Sequence, residues 1–195
     1  MQNTYSFPQP QNPHFIEFIY FQGIILPHEI NRILDFWEED QVEKAEVSGA
    51  SKYKEDLRQS SVMHLDYTAQ NHWLFDRLAG MSQKANQERY GFDLSGFMQG
   101  LQLTRYGQGD FFDWHLDFGP GEISDRKLSL TVQLSDPDEY EGGDLQFMIN
   151  QNIVTAPREK GTAIVFPSFI MHRVTPITKG KRQSIVAWAS GPPYR

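Results

Sequence analysis

Residues Phe111 to Gly121 read FFDWHLDFGPG, and the polar members of this run are of metal-binding types. His115 and Asp117 stand at i and i+2, so on a β-strand both side chains leave one face and can reach one cation. Asp113 has the same parity and the same spacing from His115, and the spacing leaves open which carboxylate would bind. Phe112, Trp114, Leu116 and Phe118 take the other parity and predict an apolar face. A wet polar face on an amphipathic edge strand is the plainer reading of such a triplet. A second imidazole is available from His172, the only histidine downstream, in FIMHRVTP on a later strand candidate.

Two imidazoles and a carboxylate on one face of an octahedral ion leave three positions open. That is the facial arrangement of non-heme Fe(II), with room for a bidentate co-substrate and dioxygen. Beyond His172 the chain turns at Gly180 and presents Arg182 on the next strand candidate. A guanidinium offers a planar fork for a carboxylate. A co-substrate with a chelating 2-oxo acid at one end and a carboxylate at the other would bridge metal and arginine. A surface arginine in the basic turn TKGKR is the competing reading.

The elements that must position these residues are legible in the rest of the chain. Its 195 residues, 39% apolar and 22% charged, suffice for a buried core, and 13% aromatics suit a β-rich one. There is no cysteine, so thiolate metal sites, Fe–S clusters and disulfides are excluded. A net charge of −7 without a basic cluster speaks against a nucleic-acid partner. The N-terminus lacks a signal-peptide pattern, and FIEFIYFQGIIL is too short and too polar to span a bilayer. A cytoplasmic protein without membrane attachment is therefore expected.

Residues 1–13 predict an arm, and a strand is expected near Phe15–Phe21. LPHEINRILDFWEED predicts a helix with Pro27 in its first turn and Ile30, Ile33, Leu34 and Trp37 on one stripe. EKAEVSGASKYKED reads as an exposed loop. A second helix is expected from Gln70 to Tyr90, with Trp73, Leu74, Leu78 and Met81 on one face and Gly91 after its end. Beyond Leu94, eight short β-type runs follow, and MINQNIVT among them predicts a hairpin turning at Asn150–Asn152. In LSLTVQLS, Ser129, Thr131 and Gln133 share a parity and would face inward. The fold class is mainly β with N-terminal helices (α+β), built on a double-stranded β-helix or jelly-roll core. One domain over 1–195 is expected: arm 1–13, helical support and lid region 14–95, and core 96–193.

Three segments, LQLTRYGQGDFFDWHLD, LSLTVQLSDPDEYEGGDLQF and KGTAIVFPSFIMHRVTPITKGKRQSIVAW, occur in an order that resembles 2-oxoglutarate- and Fe(II)-dependent dioxygenases. Within these the chain is most similar to the prolyl-4-hydroxylase-like group, over roughly Gly100 to Pro193. The resemblance implies His115, Asp117 and His172 as iron ligands and Arg182 as the partner of the distal 2-oxoglutarate carboxylate. It implies Tyr106 near the co-substrate, Ser184 as a further hydrogen-bond partner, and Trp188 beside the substrate. Core packing is the alternative for Tyr106 and Trp188. Gln133 stands where some prolyl hydroxylases carry a tyrosine that contacts the co-substrate. Gly142 and Gly143 read as a turn, VFPS as a strand end positioning His172, and DLRQSSV (56–62) as lid or solvated loop.

The implied activity is hydroxylation of an unactivated C–H, most simply a prolyl residue in a peptide or protein, with succinate and CO2 as co-products. Fe(II), 2-oxoglutarate and O2 are the implied cofactors, with ascorbate as an accessory reductant. The same chemistry on a free amino acid or other small molecule is the alternative. More remote are a non-redox jelly-roll metal enzyme, which the same donor set suits with zinc, and a silent binding module. Absence of 2-oxoglutarate turnover would favour these two.

Overall fold

A computed structural model describes residues 16–44 and 57–193, so the expected arm and most of the expected 43–56 loop lie outside the described residues. The N-terminal part contributes β1 (Ile19–Phe21), helix α1 (Pro27–Leu34), β2 (Glu43–Lys44), β3 (Arg58–Gln59), β4 (Ser61–Leu65) and helix α2 (His72–Ala85). From there on come β5 (Gly96–Phe97), β6 (Leu101–Tyr106), β7 (Phe111–His115), β8 (Arg126–Gln133), β9 (Tyr140–Gly142) and β10 (Leu145–Ile149). The last five strands are β11 (Asn152–Thr155), β12 (Ala163–Pro167), β13 (His172–Val174), β14 (Ile177–Gly180) and β15 (Arg182–Ser190). All eight β-type runs read from the sequence form strands, and the fold is mainly β, as expected.

The large sheet runs β1-β12-β8-β15-β6-β4-β2, with β5 added on β15; the small sheet runs β11-β10-β13-β7-β3. Every pair is antiparallel. Period-two alternation explains the layering. On β8, Leu128, Leu130 and Val132 pack with Ile30, Ile33, Leu74 and Leu78 of the two helices. Ser129, Thr131 and Gln133 face the other way, into the jelly roll. There Tyr106, Ile164 and Phe166 of the large sheet meet Leu145, Phe147 and Val174 of the small one. The helices thus brace the large sheet from outside, and the gap between sheets is left for the site.

The first helix ends earlier than expected, whereas the second ends at Tyr90 and Gly91 as expected and starts at His72 instead of Gln70. Pro27 opens α1, and Glu29 accepts the Leu26 N–H at 2.9 Å, but the helix stops at Leu34. Trp37 is drawn off the helical path under the Arg105 guanidinium (3.9 Å), which also meets Glu39 at 2.7 Å. The second helix continues past Ala85 as a single π turn over Asn86–Tyr90 and ends at Gly91, φ +70. The MINQNIVT hairpin turns on two residues, Asn150 (φ 47) and Gln151 (φ 71), between paired Ile149 and Asn152.

DLRQSSV is a correction. Arg58–Gln59 and residues 61–62 are strand rather than solvated loop: Arg58 pairs with Phe112 in the small sheet, and Ser61 with Arg105 in the large one. Arg58 and Gln59 lie on β3, the edge of the small sheet, where polar side chains keep contact with water, whereas Val62 on β4 is buried between β6 and β2.

Candidate metal and co-substrate site

The strict alternation read into FFDWHLDF is broken in the fold. His115 pairs with His172, and Phe112 with Val174, so Asp113 and Trp114 together oppose Arg173 alone. This β-bulge puts Phe112 and His115 on one face, against the expectation that they part. Asp113 is turned out: it is exposed, its Oδ1 accepts the Trp114 N–H, and its carbonyl accepts from His115 Nδ1 at 2.7 Å. The spacing alone left two carboxylates open, and the bulge leaves one.

Among the described residues, His115, Asp117 and His172 form a cluster whose candidate ligand atoms all lie within 4.8 Å of one another. Nε2 of His115 is 3.7 Å from Asp117 Oδ1, and Nε2 of His172 is 3.6 Å from Oδ2. His172 donates from Nδ1 to the Ile170 carbonyl at 2.9 Å, as His115 does to Asp113. Both Nε2 lone pairs are thereby free and face a common point. Burial, with the neighbouring His172, pushes the His115 imidazole down to about 3, which keeps it in the neutral, ligating form. Burial pushes the Asp117 carboxyl up, but His172, His115, Arg126 and the Ser129 hydroxyl outweigh it and hold it at about 2.

Asp117 lies past the end of β7 and is held by the large sheet. Ser129 Oγ donates to Oδ2 at 2.6 Å, and the Asp117 N–H bonds the Ser168 carbonyl at 3.0 Å. VFPS, read as support for His172, thus also anchors the carboxylate.

Deeper in the same cavity of about 600 Å³ lies Arg182, 1% exposed. Its Nη2 donates to Gln133 Oε1 at 2.9 Å, while among the described residues Nε has no hydrogen-bond partner and no carboxylate pairs with it. A buried guanidinium with one neutral partner is a costly arrangement unless an anion completes it. This orphaned charge and the His-Asp-His donor set fit a ligand that chelates a divalent metal at one end and carries a carboxylate at the other. Gln133 does not point freely at such a ligand: its amide is spent on Arg182 and on the Pro157 carbonyl (3.1 Å). Tyr106 stands opposite Arg182 in the β6–β15 pairing, its ring centre 5.5 Å from the guanidinium carbon. Ser184 is buried on the cavity wall between Thr104 and Gln133. Trp188 also lines the cavity, under the Arg126 guanidinium at 3.8 Å.

Sequence reasoning missed several wall residues. Gln102 and Thr104 share the parity of Tyr106 on β6, a signal that could have found them, and they hydrogen-bond each other at 2.9 Å. Arg126 was hidden: Leu128 pairs with Ala189 and Arg126 with Ser190, so a bulge at Lys127 turns it inward, against the parity of β8. It contacts the Asp117 carbonyl (3.3 Å) and the side chain of Gln99. Arg58, in the segment read as lid or loop, and His64 line the cavity from β3 and β4.

Residues 101–190 match the family model of the 2OG-Fe(II) oxygenase superfamily. A PKHD-type hydroxylase of Synechococcus sp. strain CC9902 is 35% identical over 97 residues, covering 50% of this chain and 44% of that protein. One from Hyphomonas neptunium is 36% identical over 86 residues, covering 42% and 38%. The chain thus spans less than half the length of the curated relatives it matches. In fold, it is similar to a Pseudomonas putida prolyl-4-hydroxylase (TM-score 0.68, 20% identity, 90% of this chain and 93% of that one). A Trichoplax adhaerens prolyl hydroxylase, solved with a hypoxia inducible factor peptide fragment, superposes with TM-score 0.72 at 14% identity, covering 89% and 83%. No helix among the described residues is long and apolar enough to cross a membrane.

Proposed function

We propose that this chain is a 2-oxoglutarate/Fe(II) oxygenase, a reading supported by the match of residues 101–190 to that superfamily, and that it hydroxylates a prolyl residue in a peptide or protein. One observation carries the oxygenase reading: a single cavity holds both the His-Asp-His donors and a buried, anion-deficient arginine. His115, Asp117 and His172 would hold Fe(II). Arg182 would take the distal carboxylate of 2-oxoglutarate, with Ser184 and Tyr106 supplying hydroxyl groups to it. Bound there with O2, iron and 2-oxoglutarate supply the oxidation of an unactivated C–H, with succinate and CO2 as co-products.

The residues of the chain do the rest. His115 stays neutral, and Asp117 stays anionic, so the donors need no proton release to bind metal. Gln133 holds one Nη of Arg182 in place, and so would orient the fork toward a carboxylate. Trp188, stacked under Arg126, and the apolar Leu116 and Ile123 wall the opening where a target C–H would enter. They exclude water and limit which bond is presented.

The names of the structural relatives, one of them bound to a peptide, support a prolyl target in a peptide. The test is incubation with Fe(II), 2-oxoglutarate and O2 and a set of proline-containing peptides, following succinate and peptide mass. One oxygen atom gained per succinate, on proline, is expected. Succinate formed with no peptide in the set modified would discard the prolyl target; no succinate under any condition would discard the oxygenase.

A further inference from the structure

The two histidines stand in an unbroken pile of rings. On one side Phe166 of β12 meets His172 edge-on, centroids 4.7 Å apart, and Phe147 backs Phe166 at 4.9 Å. Both phenylalanines are core, 1% and 0% exposed. His172 itself faces His115 at 4.1 Å. On the other side Phe112 lies flat on His115, centroids 3.4 Å apart and planes 8° from parallel. The Arg58 guanidinium carbon caps Phe112 at 4.5 Å, and Arg58 Nε donates to Ser60 Oγ at 2.9 Å. Arg58 and Phe112 are direct partners across β3 and β7.

The histidines are therefore held unequally. His172 is set in the core, whereas His115 is fixed at Nδ1 by one carbonyl and would still swing about that bond. A flat aromatic on its outer face removes this freedom, and only the bulge brings Phe112 there. We propose that Phe112 is a positioning residue for His115. Its stacked ring sets the imidazole plane so that Nε2 meets the metal, and Arg58 holds the Phe112 ring in turn. The inference rests on His115 being a metal ligand. It also ties the segment ahead of β4 to the metal through a single side chain.

Co(II) serves as the probe, because it binds without turnover and its visible ligand-field absorption reports ligand geometry. Phe112→Leu keeps apolar volume but loses the flat face. It should bind Co(II) roughly threefold to tenfold more weakly, with an altered absorption envelope and an unchanged melting temperature. Phe112→Tyr should restore both affinity and spectrum. Arg58→Met, which leaves the ring in place, should shift both in the same direction by less. Wild-type affinity and spectrum in Phe112→Leu would overturn the proposal, as would a loss that Phe112→Tyr fails to restore. If Phe112→Leu does not fold, Arg58→Met decides: an unmoved spectrum and affinity overturn it. Failure of the wild-type protein to take up Co(II) would instead sink the metal reading beneath it.

Discussion

The two sheets of the jelly roll are built differently, and each carries a different end of the candidate site. The large sheet is covered on both faces: all eight residues of β8 are buried, and helices lie on its back. It carries Arg182, Gln133, Ser184 and Tyr106, the group that would hold a carboxylate. The small sheet has an open outer face, with Met148 37%, Ile153 52% and Met171 36% exposed, and an edge strand, β11, that is exposed throughout. It carries both histidines. Asp117 crosses between them, in sequence the continuation of β7 but in hydrogen bonding a part of the large sheet. A metal held by all three would join the sheets at the cavity. The anion end needs rigidity, because a planar fork must meet its partner in one geometry. The metal end needs three donors from two layers to converge, and Asp117, leaving β7 to bond with the large sheet, achieves this.

The largest effect should come from breaking the crossing point. Asp117→Ala should cost roughly a hundredfold or more in Fe(II) affinity, and Asp113→Ala should leave it intact. Metal titration of the two variants checks this, and the reverse result would reinstate Asp113. Next is the contrast in burial. Leu130→Ala, under the helices, should lower stability by about 2–5 kcal/mol, and Ile153→Ala on the open face by no more than about 0.5 kcal/mol. Denaturant unfolding of both would measure it; similar losses would mean the small sheet is as tightly built as the large one. Smaller still, Arg182→Met should leave metal affinity unchanged and weaken 2-oxoglutarate by about 1.5–3 kcal/mol, the worth of a charge-assisted pair. Calorimetry on the metal-loaded protein would show it.

The same contrast accounts for what the sequence revealed. Runs such as KLSLTVQLS and GTAIVFPS alternate without interruption because they lie in the regular middle of the large sheet, so the strands and the inward face of β8 were readable. The spacing of His115 and Asp117 raised a metal face only beside the plainer reading of a wet one, and the family resemblance chose both the metal and the carboxylate. Alternation failed wherever a bulge intervenes. Residues 113–114 put Phe112 beside His115, and Lys127 turns Arg126 into the cavity, and neither leaves a mark in local composition. The early end of α1 was equally hidden, since it depends on Arg105, far away in sequence, capturing Trp37 and Glu39. β3 escaped because Arg58 and Gln59 resemble the side chains of a solvated loop, and the start of β4 because Ser60 and Ser61 precede its buried Val62 and Met63.

The most direct measurement is an anaerobic titration of the purified protein with Fe(II) and 2-oxoglutarate, watched for the visible metal-to-ligand charge-transfer band. The band should appear and saturate at one equivalent of each, and it should be absent from Asp117→Ala. Folded protein with metal in excess and no band would contradict a site in which three donors and a buried arginine share one chelating co-substrate.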